Sequence, residues 1–238
     1  MKQLIIPIPI NRMEEGAYNF FARLGKEFVN KSYEEELEKI RQGGESKKYC
    51  FVSEGAVYVR ARSRDIPAMI DCGEGDISTV AQDVKIEYEL GSTTGAGAMS
   101  GRGFTSYNLG GGFGFPQSRY CLIGVRGGKV NWDRKIAGDE ILVVATEYPY
   151  LAKKYLSRKY PNTIFDLMAS TGKTENAVRV RNADAIFEIV GSGETLRKND
   201  LEIFEEAMQN PTLVLVNNAA GRLTDILDRL KIISTCQD

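Results

Sequence analysis

The chain has 238 residues, 42% of them hydrophobic, which is enough for one large domain or two small ones around a real core. With 31 basic and 32 acidic residues the net charge is -1, so no broad field draws in nucleic acid or an anionic membrane, and a phosphate ligand needs a local site. The absence of histidine excludes Ser-His-Asp hydrolysis and His-ligated zinc. Acid or base chemistry falls to Asp, Glu, Lys, Tyr or Cys, and any metal is expected to be a hard, oxygen-bound ion such as magnesium.

The four cysteines (Cys50, Cys72, Cys121, Cys236) are far apart and form no CxxC pair. The opening "MKQLIIPIPINRM" is too short and too proline-broken for a signal peptide, and no apolar run approaches the ~20 residues of a membrane span. These features predict a cytoplasmic protein with free thiols.

In chain order, "QLIIPIPI" reads as a buried strand ending at Pro9. Asn11 then stands as a helix cap with Glu14 three residues on, and Met13, Ala17, Phe20, Phe21, Leu24 and Phe28 fall on one face. "VYVRAR" (57–62) reads as a strand, "DIPAMIDCG" as a short helix closed by Gly73, and "GDISTVA" as a strand. From Gly91 to Gly114 the composition turns to glycine, either a flexible loop or hinge or a mobile cover over a ligand. No G-x-G-x-x-G stands there between strand and helix, so glycine alone gives no dinucleotide fold. "EILVVAT" (140–146) is a strand, and "YPYLAKKYLSRKY" a helix with Pro149 in its first turn. "TIFDLMAS", "ADAIFEIV" and "TLVLVNN" are strands, and "GRLTDILDRLKII" is a helix with Leu223, Ile226, Leu227 and Leu230 on one side. Short apolar strands alternating with helices predict parallel sheets covered on both faces.

"STGKTE" ends like a phosphate-binding P-loop, but the glycine required five residues before Gly172 is Leu167, so that reading fails. In "IFEIVGSGETL" an apolar strand preceded by Asp184 and carrying Glu188 runs into Gly191, Ser192, Gly193, Glu194 and Thr195. Glycines admit a ligand close to the backbone, and consecutive N–H groups with two hydroxyls suit phosphate oxygens. Taken alone, the stretch fits either a phosphate loop or a strand ending in a turn.

Four longer stretches resemble the ATP phosphoribosyltransferases. "VYVRARSRDIPAMIDCGEGDISTVAQD" is similar to that family's R-x-x-D-I-P-x-x-(V/I)-x-x-G-x-x-D-(L/I), and "ILVVATEYPYLAKKYL" to its A-T-x-Y-P-x-L-x-x-x-Y-(L/F). "TGKTENAVRVRNADAIFEIVGSGETLRKND" is similar to G-(S/A)-(V/T)-E-x-A followed by A-D-A-I-x-(D/E)-(L/I)-V-x-(S/T)-G-x-T-L-x-x-N, and "PINRMEEG" sits where the family has P-K-G-R-L. The resemblance implies an α/β, two-lobed fold like the type II periplasmic binding proteins, with mixed sheets and an inter-lobe cleft, lobe I from 1–90 plus 204–238 and lobe II from 91–203.

It further implies transfer of phosphoribosyl from phosphoribosyl pyrophosphate to ATP, with magnesium-bound pyrophosphate leaving. Ser192, Gly193, Glu194, Thr195 and Leu196 would hold the 5-phosphate, and Asp184, Glu188 and Glu175 would supply the catalytic carboxylates. Arg12, Asn11, Arg64, Asp83, Thr146 and Tyr148 would lie on the acceptor or pyrophosphate side, although Thr146 and Tyr148 equally fit a strand end packed beneath a helix. A homo-oligomer with a regulatory subunit resembling a histidyl-tRNA synthetase is implied as well. The departures are Ile10 and Asn11 where the family has lysine and glycine, Ala81 in place of the glycine before Asp83, and a longer "LGGGFGFPQSRYCL". They leave open a different heteroaromatic acceptor, or a non-catalytic small-ligand sensor.

Overall fold

The computed structural model describes residues 3–93, 103–109, 113–170, 174–180, 183–219 and 228. In chain order these form β1 (Leu4–Pro9), a 3-10 turn (Asn11–Met13), α1 (Glu14–Leu24), a second 3-10 turn (Lys26–Phe28), α2 (Lys31–Arg41), β2 (Cys50–Val52), β3 (Ala56–Ala61), α3 (Ile66–Cys72), β4 (Ile77–Ala81), α4 (Gln82–Thr93) and β5 (Phe104–Asn108). There follow β6 (Arg119–Val125), α5 (Lys129–Ala137), β7 (Leu142–Thr146), α6 (Pro149–Lys159), β8 (Phe165–Ala169), a third 3-10 turn (Thr174–Asn176), α7 (Ala177–Val180), β9 (Ala185–Val190), α8 (Glu194–Lys198), β10 (Leu201–Gln209) and β11 (Thr212–Asn217). Described residues within Met1–Tyr88, Ser92–Pro116 and Pro211–Asp238 make one compact unit, and Glu89–Gly91 with Gln117–Asn210 make a second. β5 falls in the first unit because it pairs with β11, and β10 in the second because it pairs with β6. No helix among the described residues is long and apolar enough to cross a membrane.

The first unit holds two three-stranded sheets, β1-β3-β2 and β4-β11-β5. Proline chemistry explains why they are not one ladder. Pro7 has no N–H to give, so β1 meets β4 through side chains as well as backbone. Asp76 takes the Ile5 N–H on Oδ2 at 2.8 Å, and Ser78 Oγ donates to the Pro7 carbonyl at 2.5 Å. The 3.6-residue period of α1 buries Ala17, Phe20, Phe21 and Leu24 against Ile6, Ile8 and Tyr58. Gly25 stops the helix, so Phe28 completes that apolar face from a separate turn.

The second unit is one five-stranded sheet, β10-β6-β9-β7-β8. β7 runs parallel to β8 and β9, while β6 and β10 run antiparallel, so the sheet is mixed. One face carries Cys121, Ile123, Ala145, Ile186 and Val190 beneath Ala177 of α7. On the other, Tyr120 and Tyr155 lie against Phe187 with ring centroids 5.1 and 5.5 Å apart.

Several expectations need correction. Asn11 opens a 3-10 turn; α1 begins at Glu14 and has no side-chain cap. Among the described residues, parallel pairing is confined to β1–β3, β7–β8 and β7–β9, because the remaining strands enter their sheets as antiparallel neighbours. Within the glycine-rich stretch, "FTSYN" is an edge strand and not loop, since its aromatic and hydroxyl side chains suit a half-buried ladder against β11. Residues 94–102 and 110–112 of that stretch, and the helix expected over 221–233 apart from Asp228, lie outside the described residues.

The pairing of β10 with β6 is shifted between Ile203 and Glu205, which leaves Phe204 as an extra residue folded over β6 at Gly124. A Cβ on Gly124 would overlap the Phe204 ring, which is 9% exposed and packs against Trp132. Gly124→Ala is therefore expected to cost about 1–3 kcal/mol of stability, read as a lower urea midpoint with the slope unchanged. An unchanged midpoint would show that this bulge has slack to absorb a methyl group.

Candidate functional site

In an open α/β sheet the parallel strands all present their carboxyl ends at one edge, where backbone N–H groups and side chains can converge on a ligand. In the second unit β7, β8 and β9 do so. Thr146 is in register with Ala169, and Ala145 with Ile186. At this edge β7 releases Glu147 and Tyr148, β8 releases Ser170, and β9 releases the Gly191–Thr195 loop, while the 3-10 turn Thr174–Asn176 leads into α7 on one face.

Period-2 alternation decides what each residue faces. On β9, Ile186 and Val190 lie in the α7-side core, and Glu188 between them faces the same way. Directly opposite on β6 is Cys121, fully buried, its thiol pushed up to about 11 by burial and so an unreactive neighbour. Burial also pushes the Glu188 carboxyl above the usual carboxylate range. The charges of Glu147 and Glu175 add to the rise, while the Ile189 N–H, donated to Glu188 Oε1 at 2.9 Å, and the Thr174 hydroxyl oppose it. Thr174 is 2% exposed, and its Oγ1 makes no fully formed hydrogen bond among the described residues. The arrangement is a carboxylate in an apolar row, close to two further acids, at the edge where a ligand would arrive.

The loop after β9 turns its polar groups outward. Gly193 has φ 74°, a left-handed conformation open to glycine, and it sits at the N-cap of α8. Ser192 Oγ accepts the Glu194 N–H at 3.4 Å, and Glu194 pairs with Lys198 at 2.7 Å on the surface. Ser192 and Thr195 are exposed, while Leu196 anchors the segment in the core. The hydroxyls of Ser192 and Thr195 therefore face solvent on a backbone fixed from below.

Not all predicted residues join this group. Asp184 stands before the first residue of β9, about 13 Å along an extended strand from Glu188 at ~3.3 Å per residue. Its Oδ1 takes the Lys135 ammonium at 2.6 Å and its Oδ2 the Val143 N–H at 2.9 Å, both partly buried. The structure thus gives Asp184 a bracing role between α5, β7 and β9, where the sequence expectation paired it with Glu188. Thr146 is fully buried and its Oγ1 accepts the Tyr148 N–H at 2.9 Å, while the Tyr148 ring meets Tyr120 edge-on at 5.4 Å. Both belong to the α6 face, opposite Glu188. The alternation that turns Thr146 to that face turns Glu147 toward Glu188, beyond Val143 and Ala145. Glu147 was missed in the sequence, although "ATEYP" holds it; the signal lay in its offset of one from a buried threonine.

The first unit has a comparable edge. β1 and β3 are parallel with Pro9 in register with Ala61, and the Ile10 N–H donates to the Ala61 carbonyl at 3.0 Å. Beyond these ends come the Asn11–Met13 turn, with Arg12 exposed, and the turn holding Arg64, also exposed. Asp83 is 2% exposed in the first turn of α4, just past the end of β4. Among the described residues of the chain, no group of three or more acids, cysteines or histidines is placed to hold a metal ion by itself.

A family model described as ATP phosphoribosyltransferase matches residues 62–234. The chain is 25% identical over 222 residues to the ATP phosphoribosyltransferase of Clostridioides difficile (strain 630), covering 93% of this chain and 91% of that protein. Its fold is similar to that in the ATP phosphoribosyl transferase (HisG:HisZ) complex from Thermotoga maritima, with a TM-score of 0.64, 20% identity and coverage of 99% and 100%. It is also similar to the periplasmic aliphatic sulphonate binding protein SsuA from Escherichia coli, with a TM-score of 0.53, 10% identity and coverage of 100% and 74%. The chain belongs to the ATP phosphoribosyltransferase family, transferases that catalyse the first step of histidine biosynthesis.

Proposed function

We propose that this chain transfers the phosphoribosyl group of phosphoribosyl pyrophosphate to a ring nitrogen of ATP, with release of pyrophosphate. The observation that carries the reading is the convergence, at one strand edge, of the Ser192–Leu196 loop with Glu188 and its acidic neighbours. The exposed hydroxyls of Ser192 and Thr195, with the N–H groups around Gly193, suit the three oxygens of a 5-phosphate. Glu188 and Glu175, joined by Glu147, are suited to accept from ribose hydroxyls and to favour the positive charge that develops on the sugar as pyrophosphate departs. No side-chain nucleophile is needed, in keeping with a chain without histidine. Arg12 and Arg64 supply guanidinium groups suited to phosphate oxygens of the acceptor or the leaving group.

A magnesium ion fits the donor set as a group that arrives with its ligand. Glu147 and Glu175 stand close enough to Glu188 to act on its charge, yet no protein cage for a metal exists among the described residues, and magnesium commonly takes one or two carboxylates together with substrate phosphates. When bound, it neutralises the charge that pyrophosphate gathers on leaving. The partnership in the Thermotoga maritima complex supports a regulatory subunit for this chain too; a cytoplasmic homo-oligomer is proposed on the sequence alone.

The direct test supplies the purified protein with phosphoribosyl pyrophosphate, magnesium and ATP, alongside a panel of other heteroaromatic acceptors, and follows pyrophosphate and product mass. Turnover with ATP is expected, and a chelator should stop it without lowering the melting temperature. Turnover with another acceptor and none with ATP would overturn the choice of acceptor; binding without release for all of them would favour a sensor.

Two carboxylates, one on β9 and one just before it, should separate cleanly. A carboxyl raised in the folded state stabilises the protein below its unfolded-state range and loses that contribution as pH rises through the folded value, so ionisation of Glu188 works against folding. Glu188→Gln should therefore raise the melting temperature at pH 7 while lowering kcat by about 10²-fold or more. Asp184→Asn should do the reverse, with kcat nearly unchanged and about 1–2 kcal/mol of stability lost with the Lys135 pair. Thermal melts and steady-state rates on both variants check this, and equal loss of activity in the two would return Asp184 to the site.

A further inference from the structure

The end of β3 carries a buried ion pair that the reaction scheme does not use. Arg60 and Glu14 meet in a two-pronged bridge, Nε to Oε1 at 2.6 Å and a terminal nitrogen to Oε2 at 3.0 Å, with side chains only 10% and 4% exposed. The Tyr33 hydroxyl adds a third bond to Glu14 Oε1 at 2.8 Å, and Tyr33 itself stacks on Tyr58 of β3 with centroids 5.4 Å apart. Glu14 is thus held from β3 and from α2 together.

Its position in the chain gives the pair its meaning. Glu14 is the first residue of α1, immediately after the turn Asn11–Met13 that carries Arg12. Arg60 is the last residue but one of β3, and the next, Ala61, accepts the Ile10 N–H at 3.0 Å. Residues 10 and 14 are therefore tied to neighbouring residues of one strand end, and only 11–13 lie between the two ties. The same strand end continues into the turn that presents Arg64. A turn in which Ile10 and Asn11 replace a lysine and a glycine of the family pattern has fewer groups of its own to engage a phosphate, so the placement of Arg12 matters more.

We infer that Glu14, Arg60 and Tyr33 form a positioning network that fixes the Arg12 turn against the end of β3, in register with Arg64, for the phosphate groups of the acceptor nucleotide. None of the three touches the reacting atoms. The inference rests on the function proposed above.

A buried ion pair also serves stability, and the experiment has to separate the two roles. Removing one partner strands the other charge, whereas replacing both with apolar residues of similar size commonly restores stability. Glu14→Gln and Glu14→Leu with Arg60→Met are compared with wild type for melting temperature, for KM and kcat with ATP varied, and for phosphoribosyl pyrophosphate affinity by calorimetry. The single variant is expected to melt lower and to raise KM for ATP about ten-fold, since small misplacements of a binding group carry large penalties. The double variant is expected to regain wild-type melting yet keep the raised KM, with phosphoribosyl pyrophosphate affinity within about two-fold of wild type by the same argument.

Restoration of both melting and KM in the double variant would overturn the positioning role alone. Wild type without turnover would instead overturn the reading on which the inference rests. Should the double variant fail to fold, Tyr33→Phe decides. Loss of its single hydroxyl should raise KM for ATP about two- to three-fold with kcat little changed, and an unchanged KM would overturn the network.

Discussion

A carboxylate in the apolar row of a central strand is the constraint around which the second unit is arranged. Ile186 and Val190 bury their side chains on either side of Glu188, and Cys121 closes the row from the neighbouring strand. Desolvation disfavours the charged form, and no cation among the described groups balances it. Ionising such a residue works against the fold, and its place at the mouth of a sheet supports the proposal that a ligand bringing positive charge binds there. The surrounding features follow from that position: Glu147 turns toward it by strand alternation, Glu175 approaches from the turn before α7, and the outward hydroxyls of Ser192 and Thr195 stand just beyond the end of its strand.

The structure spends its acids differently in different places. Asp184, just before the same strand, is neutralised by Lys135 and bonded to the Val143 N–H, and so braces one end of β9. Glu14 in the first unit is neutralised by Arg60 and fixes the start of α1. Glu188 accepts the Ile189 N–H but has no cation partner among the described residues, and that difference, more than its residue type, marks it out. An enzyme that works by positioning and charge needs a rigid frame with a locally unfavourable electrostatic centre. In the proposed reaction the carboxylates with cation partners supply the frame and Glu188 supplies the centre.

Much of this was legible in the sequence where local chemistry is unambiguous. Gly73 closes α3 in a left-handed conformation, Pro149 opens α6, and the runs at 142–146, 185–190 and 212–217 are strands because nothing in them suits another structure. Elements whose pattern is weak went unread. α2 buries only Tyr33 and Leu37, too few to mark a helical face, and the bulges of β10 break its period of two. The glycine-rich stretch hid β5 because composition outweighed the five-residue pattern within it.

At the candidate site, the exposed turn from Ser192 to Leu196 could be read as following a strand end because glycines and hydroxyls stand next to an apolar run. The separation of Asp184 from Glu188 could not, since it depends on Lys135, 49 residues from Asp184 in the chain. The proximity of Glu147 to Glu188 was hidden for the opposite reason: the family pattern leaves its position unspecified, and only the facing of β7 reveals it.

The most direct test of this account is the ionisation of Glu188 itself. Carboxyl carbon chemical shifts of the labelled protein, followed against pH, should show Glu188 titrating above the ordinary glutamate range in the free protein, and moving downward when phosphoribosyl pyrophosphate and magnesium are added. A Glu188 that titrates at or below the ordinary range in the free protein, and is indifferent to the ligand, would contradict the claim that this strand holds an uncompensated charge for its substrate.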